Sequence, residues 1–136
     1  MTDRSGTNDS KDDAARPVIL VVDDDESIVE LILATLRSAP HRIVTASDGA
    51  EAVQIAREVH PAVILLDVAM PGISGFETCQ RLKADPTTRD AFIVMLTARS
   101  QPEDRARAIE VGANGYISKP FRPSELLATI GKQLGW

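Results

Sequence analysis

VILVVDDDE, residues 18–26, is the stretch on which the fold class turns. Its first five residues, Val18–Val22, are aliphatic without interruption, and four of them, all but Leu20, carry branches at Cβ. A strand with one wet face alternates apolar and polar side chains. An unbroken apolar run marks a strand covered on both faces, the habit of a parallel sheet. Outward from this run, similar short segments stand at 42–46 (RIVTA), 62–66 (AVILL), 92–96 (FIVML) and 115–118 (GYIS). The stretches between them carry helical spacing. Ile28, Leu31, Ile32 and Leu36 are expected on one face of 26–38, and Ala52, Val53, Ala56 and Val59 on one face of 49–59. Phe76, Cys79 and Leu82 line a third helix, and Leu126, Leu127, Ile130 and Leu134 a last one. The segment at about 101–111 is the least marked, because its apolar side is mostly alanine.

Punctuation agrees. Asp48 is placed to cap the helix at 49–59, Ser100-Gln101-Pro102-Glu103 has the form of a capping box, and Gly112 sits where a C-cap glycine belongs. Pro123 suits the first turn of the final helix, and Asp85-Pro86 a turn after the third. Strand followed by helix, five times over, is a (βα)5 pattern. Right-handed crossovers then give an α/β, doubly wound three-layer sandwich around a five-stranded parallel sheet. Ligands in such sheets bind beyond the carboxyl ends of the strands.

Composition narrows the function classes. A chain of 136 residues fits one domain. Residues 1–16 hold no Val, Ile, Leu or aromatic residue and are expected to form a disordered tail, leaving 17–136 as the folded domain. The net charge of -5 argues against coating a nucleic acid, which needs a clustered positive surface. No apolar run approaches membrane-spanning length, and no secretory leader is visible. One cysteine, Cys79, cannot form an internal disulfide and reads as a core residue, so a cytoplasmic setting is expected.

The strand ends hold the chemistry. The first runs into Asp23-Asp24-Asp25-Glu26, the third ends at Asp67, the fourth at Thr97, and Lys119-Pro120 follows the fifth. Four strands thus deliver carboxylates, a hydroxyl and an ammonium to one edge of one sheet. Crowded carboxylates repel, and a cation offsets the repulsion. An all-oxygen set favours a hard ion such as Mg²⁺. His41 and His60 flank strands at the opposite edge and read as surface residues, so zinc is not expected. Carboxylate, divalent ion, lysine and hydroxyl together suit phosphoryl transfer, for which an Asp carboxylate is an established nucleophile.

VILVVDDDES, LLDVAMPGISGFE, MLTA and GYISKPF stand in the order and spacing of one family. From residue 17 to about 134 the chain resembles the receiver domain of two-component response regulators. The resemblance implies a flavodoxin-like sheet in the order 2-1-3-4-5 and a cis bond at Lys119-Pro120. It implies that Asp67 accepts a phosphoryl group in a Mg²⁺-dependent reaction. The metal ligands it implies are Asp24 directly, Asp23 more often through water, Asp67, and the backbone carbonyl of Ala69. Thr97 and Lys119 would bond phosphoryl oxygens, small Ala98 would leave the approach open, and the ring of Tyr116 would turn inward with the Thr97 hydroxyl. Gly72 and Gly75 are expected to supply backbone conformations that side chains disfavour.

On this resemblance the chain is no enzyme toward other substrates but catalyses its own aspartyl phosphorylation and dephosphorylation. It would switch the face formed by the fourth helix, fifth strand and fifth helix. The expected partner is a sensor histidine kinase or phosphotransfer protein, with no direct nucleic-acid or membrane contact, the chain being a monomer or a weak phosphorylation-dependent dimer. Arg105 and Glu125 match dimer positions of transcription-factor receivers, whereas Asn114, Gly115 and Thr129 depart from them. Arg122 stands where a capping Ser is common. The stretch Lys83–Ala91 resembles single-domain or cyclase-linked receivers. The ending at Gly135-Trp136 is equally natural for a stand-alone regulator and for a receiver cut from a longer protein, while the length is read as a receiver with no output domain attached. Two other readings stay open. One is a Mg²⁺-dependent phosphatase with an Asp nucleophile, although Asp67-Val68-Ala69 lacks its D-x-D pattern; the other is a docking module that keeps only the fold.

Overall fold

The structure, a computed structural model, describes residues 17–98 and 101–136. The expected tail 1–16 and Ser100 of the expected capping box lie outside the described residues. The strands are β1 (Val18–Val22), β2 (Arg42–Ala46), β3 (Val63–Asp67), β4 (Phe92–Thr97) and β5 (Gly115–Ser118). The helices are α1 (Glu26–Thr35), α2 (Gly49–Val59), α3 (Gly75–Ala84), α4 (Pro102–Glu110) and α5 (Pro123–Leu134). All pairings are parallel and the order is β2-β1-β3-β4-β5, as expected.

The apolar runs work as their lack of alternation implies. Successive side chains on a strand point to opposite faces. Leu20, Val22, Ile64, Leu66, Ile93 and Met95 therefore meet α2, α3 and α4 through Ala52, Ala56, Phe76, Cys79, Leu82 and Ala108. Ile19, Val21, Val63, Leu65, Val94, Leu96 and Ile117 meet α1 and α5 through Ile32, Leu36, Leu126 and Ile130. Register then aligns the carboxyl ends: Val22 lies opposite Ala46 and Leu66, Asp67 opposite Leu96, and Thr97 opposite Ser118.

Local expectations are met in part. Asp48 caps α2 by accepting from the Glu51 N–H at 2.8 Å, while Glu51 accepts from the Ser47 N–H at 2.7 Å. Asp48→Ala is expected to lower stability by about 1 kcal/mol, read as a lower denaturation midpoint with an unchanged slope. Gly112 ends α4 at φ +94, with its N–H on Ile109 O at 3.0 Å and the Ala113 N–H on Ala108 O at 2.9 Å. That is the double bond of a Schellman cap. At the other end of α4 the N-cap is Gln101, with no side-chain cap bond, and Pro102 is the first helical residue. The helix therefore starts one residue later than a box built on Ser100 requires. Arg122 likewise gives α5 no side-chain cap.

Three expectations need correction. Leu31 is 40% exposed, although Ile32 and Leu36 are buried. Neighbouring helical residues differ by about 100° in direction, so the stripe that contains Ile32 turns Leu31 toward water. Helix α1 also stops at Thr35 rather than Ser38. His60 is exposed, but His41 is half-buried, because the indole of Trp136 folds back onto it. Among the described residues no helix is long and apolar enough to cross a membrane.

Candidate functional site

Four strands end on a cavity of about 300 Å³ lined by Asp23, Asp24, Asp25, Asp67, Ala69, Thr97, Ala98 and Lys119. The sheet thus gathers the residues expected at its edge. Carboxylate oxygens of Asp23, Asp24 and Asp67 lie within 4.8 Å of one another. The Lys119 ammonium donates to Asp23 Oδ2 at 2.9 Å and to Asp67 Oδ1 at 3.0 Å. Its own backbone N–H is tied to Thr97 O at 2.8 Å, which fixes where the side chain starts. Asp23 and Asp67 are buried and Asp24 is exposed, so the first two sit behind the lysine and the third faces the mouth.

Electrostatics follows from this crowding. Burial pushes the Asp67 carboxyl above its ordinary range; the Lys119 bond pulls it back, and the charges of Asp23 and Asp24 push it up again. Burial works against the Lys119 charge, but the bonds to Asp23 and Asp67 outweigh it, and the ammonium is held more firmly than usual. Asp25 faces solvent and has a task of its own. It caps α1 by accepting from the Ser27 N–H and hydroxyl, both at 2.9 Å, and these bonds lower its carboxyl range. Among the described residues, one ammonium against three carboxylates leaves the cluster short of positive charge. The donors are all oxygen, which fits Mg²⁺: Asp24, Asp67 and the Ala69 carbonyl could hold it, with Asp23 behind. A wider groove of about 580 Å³ starts at the same Asp23 and Asp24 and adds Glu26, Glu30 and Glu51, extending the negative field.

The loop after β3 is set by two glycines for different reasons. Gly72 has φ +79, the left-handed conformation expected of it. Gly75 is not in that region. Its requirement is space, since a Cβ there would lie 2.2 Å from Asp67 O. Thr97 is buried, the Lys119-Pro120 bond is cis, and Ala98 is exposed at the mouth. Tyr116 is half-buried, with the guanidinium of Arg105 4.6 Å above its ring. Sequence reasoning assigned Arg105 to an intersubunit position and gave no sign of this contact, because α4 and β5 carry no shared pattern. Cys79 is fully buried and burial pushes its thiol up to about 11, as suits a core residue.

The model of the response regulator receiver domain matches residues 19–131. The chain belongs to the response regulator receiver family. The receiver is 39% identical over 122 residues to the DNA-binding response regulator MtrA of Mycolicibacterium smegmatis, covering 90% of this chain and 52% of that protein. It is 46% identical over 112 residues to the phosphate regulon transcriptional regulatory protein PhoB of Escherichia coli, covering 82% and 49%. Among solved structures, the Vibrio cholerae chemotaxis protein CheY4 superposes with a TM-score of 0.81 at 36% identity, covering 87% of the receiver and 98% of that chain.

These relatives correct the partner expectation. The chain spans about half the length of the curated relatives it matches, and several of those are named as DNA-binding. The exclusion of nucleic acid does not hold against them. The physical reason is simple: an acidic balance over 136 residues speaks only for those residues. The stretch Lys83–Ala91 closes α3 locally. Asp85 accepts from the Thr87 N–H and hydroxyl, and the Thr88 hydroxyl reaches Leu82 O at 2.6 Å.

Proposed function

We propose that Asp67 accepts a phosphoryl group from the phosphohistidine of a sensor kinase or phosphotransfer protein, and that the receiver catalyses only this self-modification and its reversal. The observation that carries the reading is the Lys119 ammonium shared between Asp23 and Asp67, with Asp24 beside them at the cavity mouth. An Asp67 oxygen attacks phosphorus, the Oδ–P bond forms, the P–N bond to histidine breaks, and the imidazole leaves with the bonding pair. Lys119 stays protonated throughout and offsets charge on Asp67 and the arriving oxygens. Thr97 offers its hydroxyl to one of those oxygens, and Ala98 leaves the line of approach open. When bound, Mg²⁺ at Asp24, Asp67 and the Ala69 carbonyl would neutralise charge on the phosphoryl oxygens.

The added charge and acceptor oxygens supply the local change that biases a two-state element. The face of α4, β5 and α5, with Tyr116 under Arg105, is the surface nearest to Thr97 along the chain and is the proposed readout. An output that fits the relatives is control of DNA binding by a longer chain, in a cytoplasmic setting.

Intact-mass measurement tests the reading. A small phosphodonor with Mg²⁺ is expected to add one phosphoryl mass, and chelation of the metal to prevent it. Mg²⁺ at about a hundred times its Kd is expected to stabilise the fold by about 2.7 kcal/mol, an increment that Asp24→Asn should largely remove. Sustained turnover of phosphate esters would replace this reading by the phosphatase one, and no Mg²⁺-dependent phosphorylation by the docking module.

A further inference from the structure

Away from the phosphoryl site, the chain after α5 doubles back. Gly135 takes the left-handed conformation at φ +75, and the Trp136 N–H bonds to Gly131 O at 2.9 Å. The indole settles on Gly131, where an added Cβ would lie 3.1 Å from Trp136 Cε3. From there the ring reaches His41, just before β2, with centroids 4.9 Å apart and planes at 52°. Trp136 Nε1 and His41 Nε2 are 3.2 Å apart. An indole N–H only donates, so His41 Nε2 must accept, and the imidazole proton must sit on Nδ1. His41 Nδ1 is buried and has no partner among the described residues.

This geometry tolerates one protonation state. A second proton on His41 has to go to Nε2, where it would meet the indole N–H donor to donor. Among the described residues no carboxylate side chain pairs with His41. Of the charged residues described on the neighbouring elements, Arg37 beyond α1, Arg42 on β2 and Lys132 near the end of α5 are exposed and basic, whereas the acids of these elements lie elsewhere: Glu26 and Glu30 line the groove beside Asp23, and Glu125 stands in the first turn of α5. Burial alone lowers the titration of His41, and no acidic side chain contributes.

We propose that His41 and Trp136 form a proton-gated clasp, which holds the segment after α5 against the start of β2 while His41 is neutral and releases it when His41 is protonated. The sign follows from the depressed value: the stabilisation is complete above the ordinary histidine value of 6.5 and is lost as pH falls through the lower folded value. The clasp sits at the amino end of β2, the sheet edge away from β5, so it responds to pH independently of the Asp67 chemistry.

The test uses Trp136, the single tryptophan of the chain, as its own probe. Emission and acrylamide quenching are followed between pH 8 and 4.5 in the wild type, His41→Gln and His60→Gln, with far-UV circular dichroism to confirm folding. The wild type is expected to shift to longer wavelength and become more quenchable in one transition centred below 6.5. His41→Gln, whose amide oxygen still accepts from the indole, is expected to lose that transition and stay shielded. His60→Gln is expected to keep it. Protection of the indole N–H from exchange, measured against free tryptophan at the same pH and expected to be high at pH 8 and lost at pH 5, gives the same answer in the wild type if a variant fails to fold. A flat wild-type profile, an indole N–H unprotected at every pH, or a transition that follows His60 instead of His41 would overturn the clasp.

Discussion

Asp67→Asn is expected to lose phosphoryl uptake completely and to melt at a higher temperature than the wild type. The first half follows from the nucleophile, since an amide oxygen carries no full negative charge and cannot form the acyl phosphate. The second half follows from the electrostatics of the wild-type site. Burial and the charges of Asp23 and Asp24 hold the Asp67 carboxyl above its ordinary range of 3.8, although Lys119 pulls against them. An acid whose folded value is raised costs stability once it ionises, and the cost grows as pH rises from the unfolded value through the folded one. At neutral pH the carboxylate therefore weighs against the fold, and asparagine, neutral at every pH, removes the weight. Lys119 keeps its 2.9 Å bond to Asp23 in the variant. Thermal melts should show a gain that is full at pH 7 and gone below about 3.8, where the wild-type carboxyl is itself neutral. Intact mass checks the other half: phosphorylation of the variant at the wild-type rate would move the acceptor elsewhere.

Gly75→Ala is expected to cost stability and phosphorylation rate together. The new Cβ would stand 2.2 Å from Asp67 O, 2.7 Å from Val68 Cα and 2.9 Å from Asp67 C. None of these atoms can swing aside, because they are the backbone at the end of the central strand β3. Gly75 is also anchored there by its N–H bond to Val68 O at 2.8 Å. Overpacking typically costs about 1–3 kcal/mol, and a backbone obstacle places this case at the upper end. Relief requires Asp67 to shift, which spoils its alignment with Lys119. Gly115→Ala is the control, since its nearest neighbour would be a Val94 methyl at 3.4 Å, an ordinary contact. Denaturation midpoints and initial rates of mass gain check both variants. A Gly75→Ala protein with wild-type stability and rate would show that the loop yields more easily than its geometry implies.

How much could be read from the residues alone depends on whether a feature is local. Val18–Val22 and the run ending at Asp67 announce a doubly covered sheet because burial on both faces removes alternation, and that pattern fits within five residues. The strand-end rule then gathers Asp23, Asp67, Thr97 and Lys119 without any knowledge of distances. Leu31 was misjudged because a spacing of three or four residues identifies a face but not its edge. The start of α4 was misjudged because Pro102, a first-turn residue, outweighs the pattern beginning at Ser100. Gly75 was noticed, but its reason is a contact across a loop, which sequence shows only as a glycine. The pairing of His41 with Trp136 joins residues 95 apart and leaves no local trace.

The span of Lys119's bonds has a consequence for the life of the chain before it is fully folded. Its partners lie 96 and 52 residues earlier, just past the first strand and at the end of the central one. Until β5 docks at the sheet edge, Asp23 and Asp67 face each other with no ammonium between them. A chain lacking that last strand holds Asp23 and Asp67 in a repulsive, incomplete site, so the chemistry proposed for Asp67 would wait for β5. The same lysine thus ties the last strand to the ends of β1 and β3.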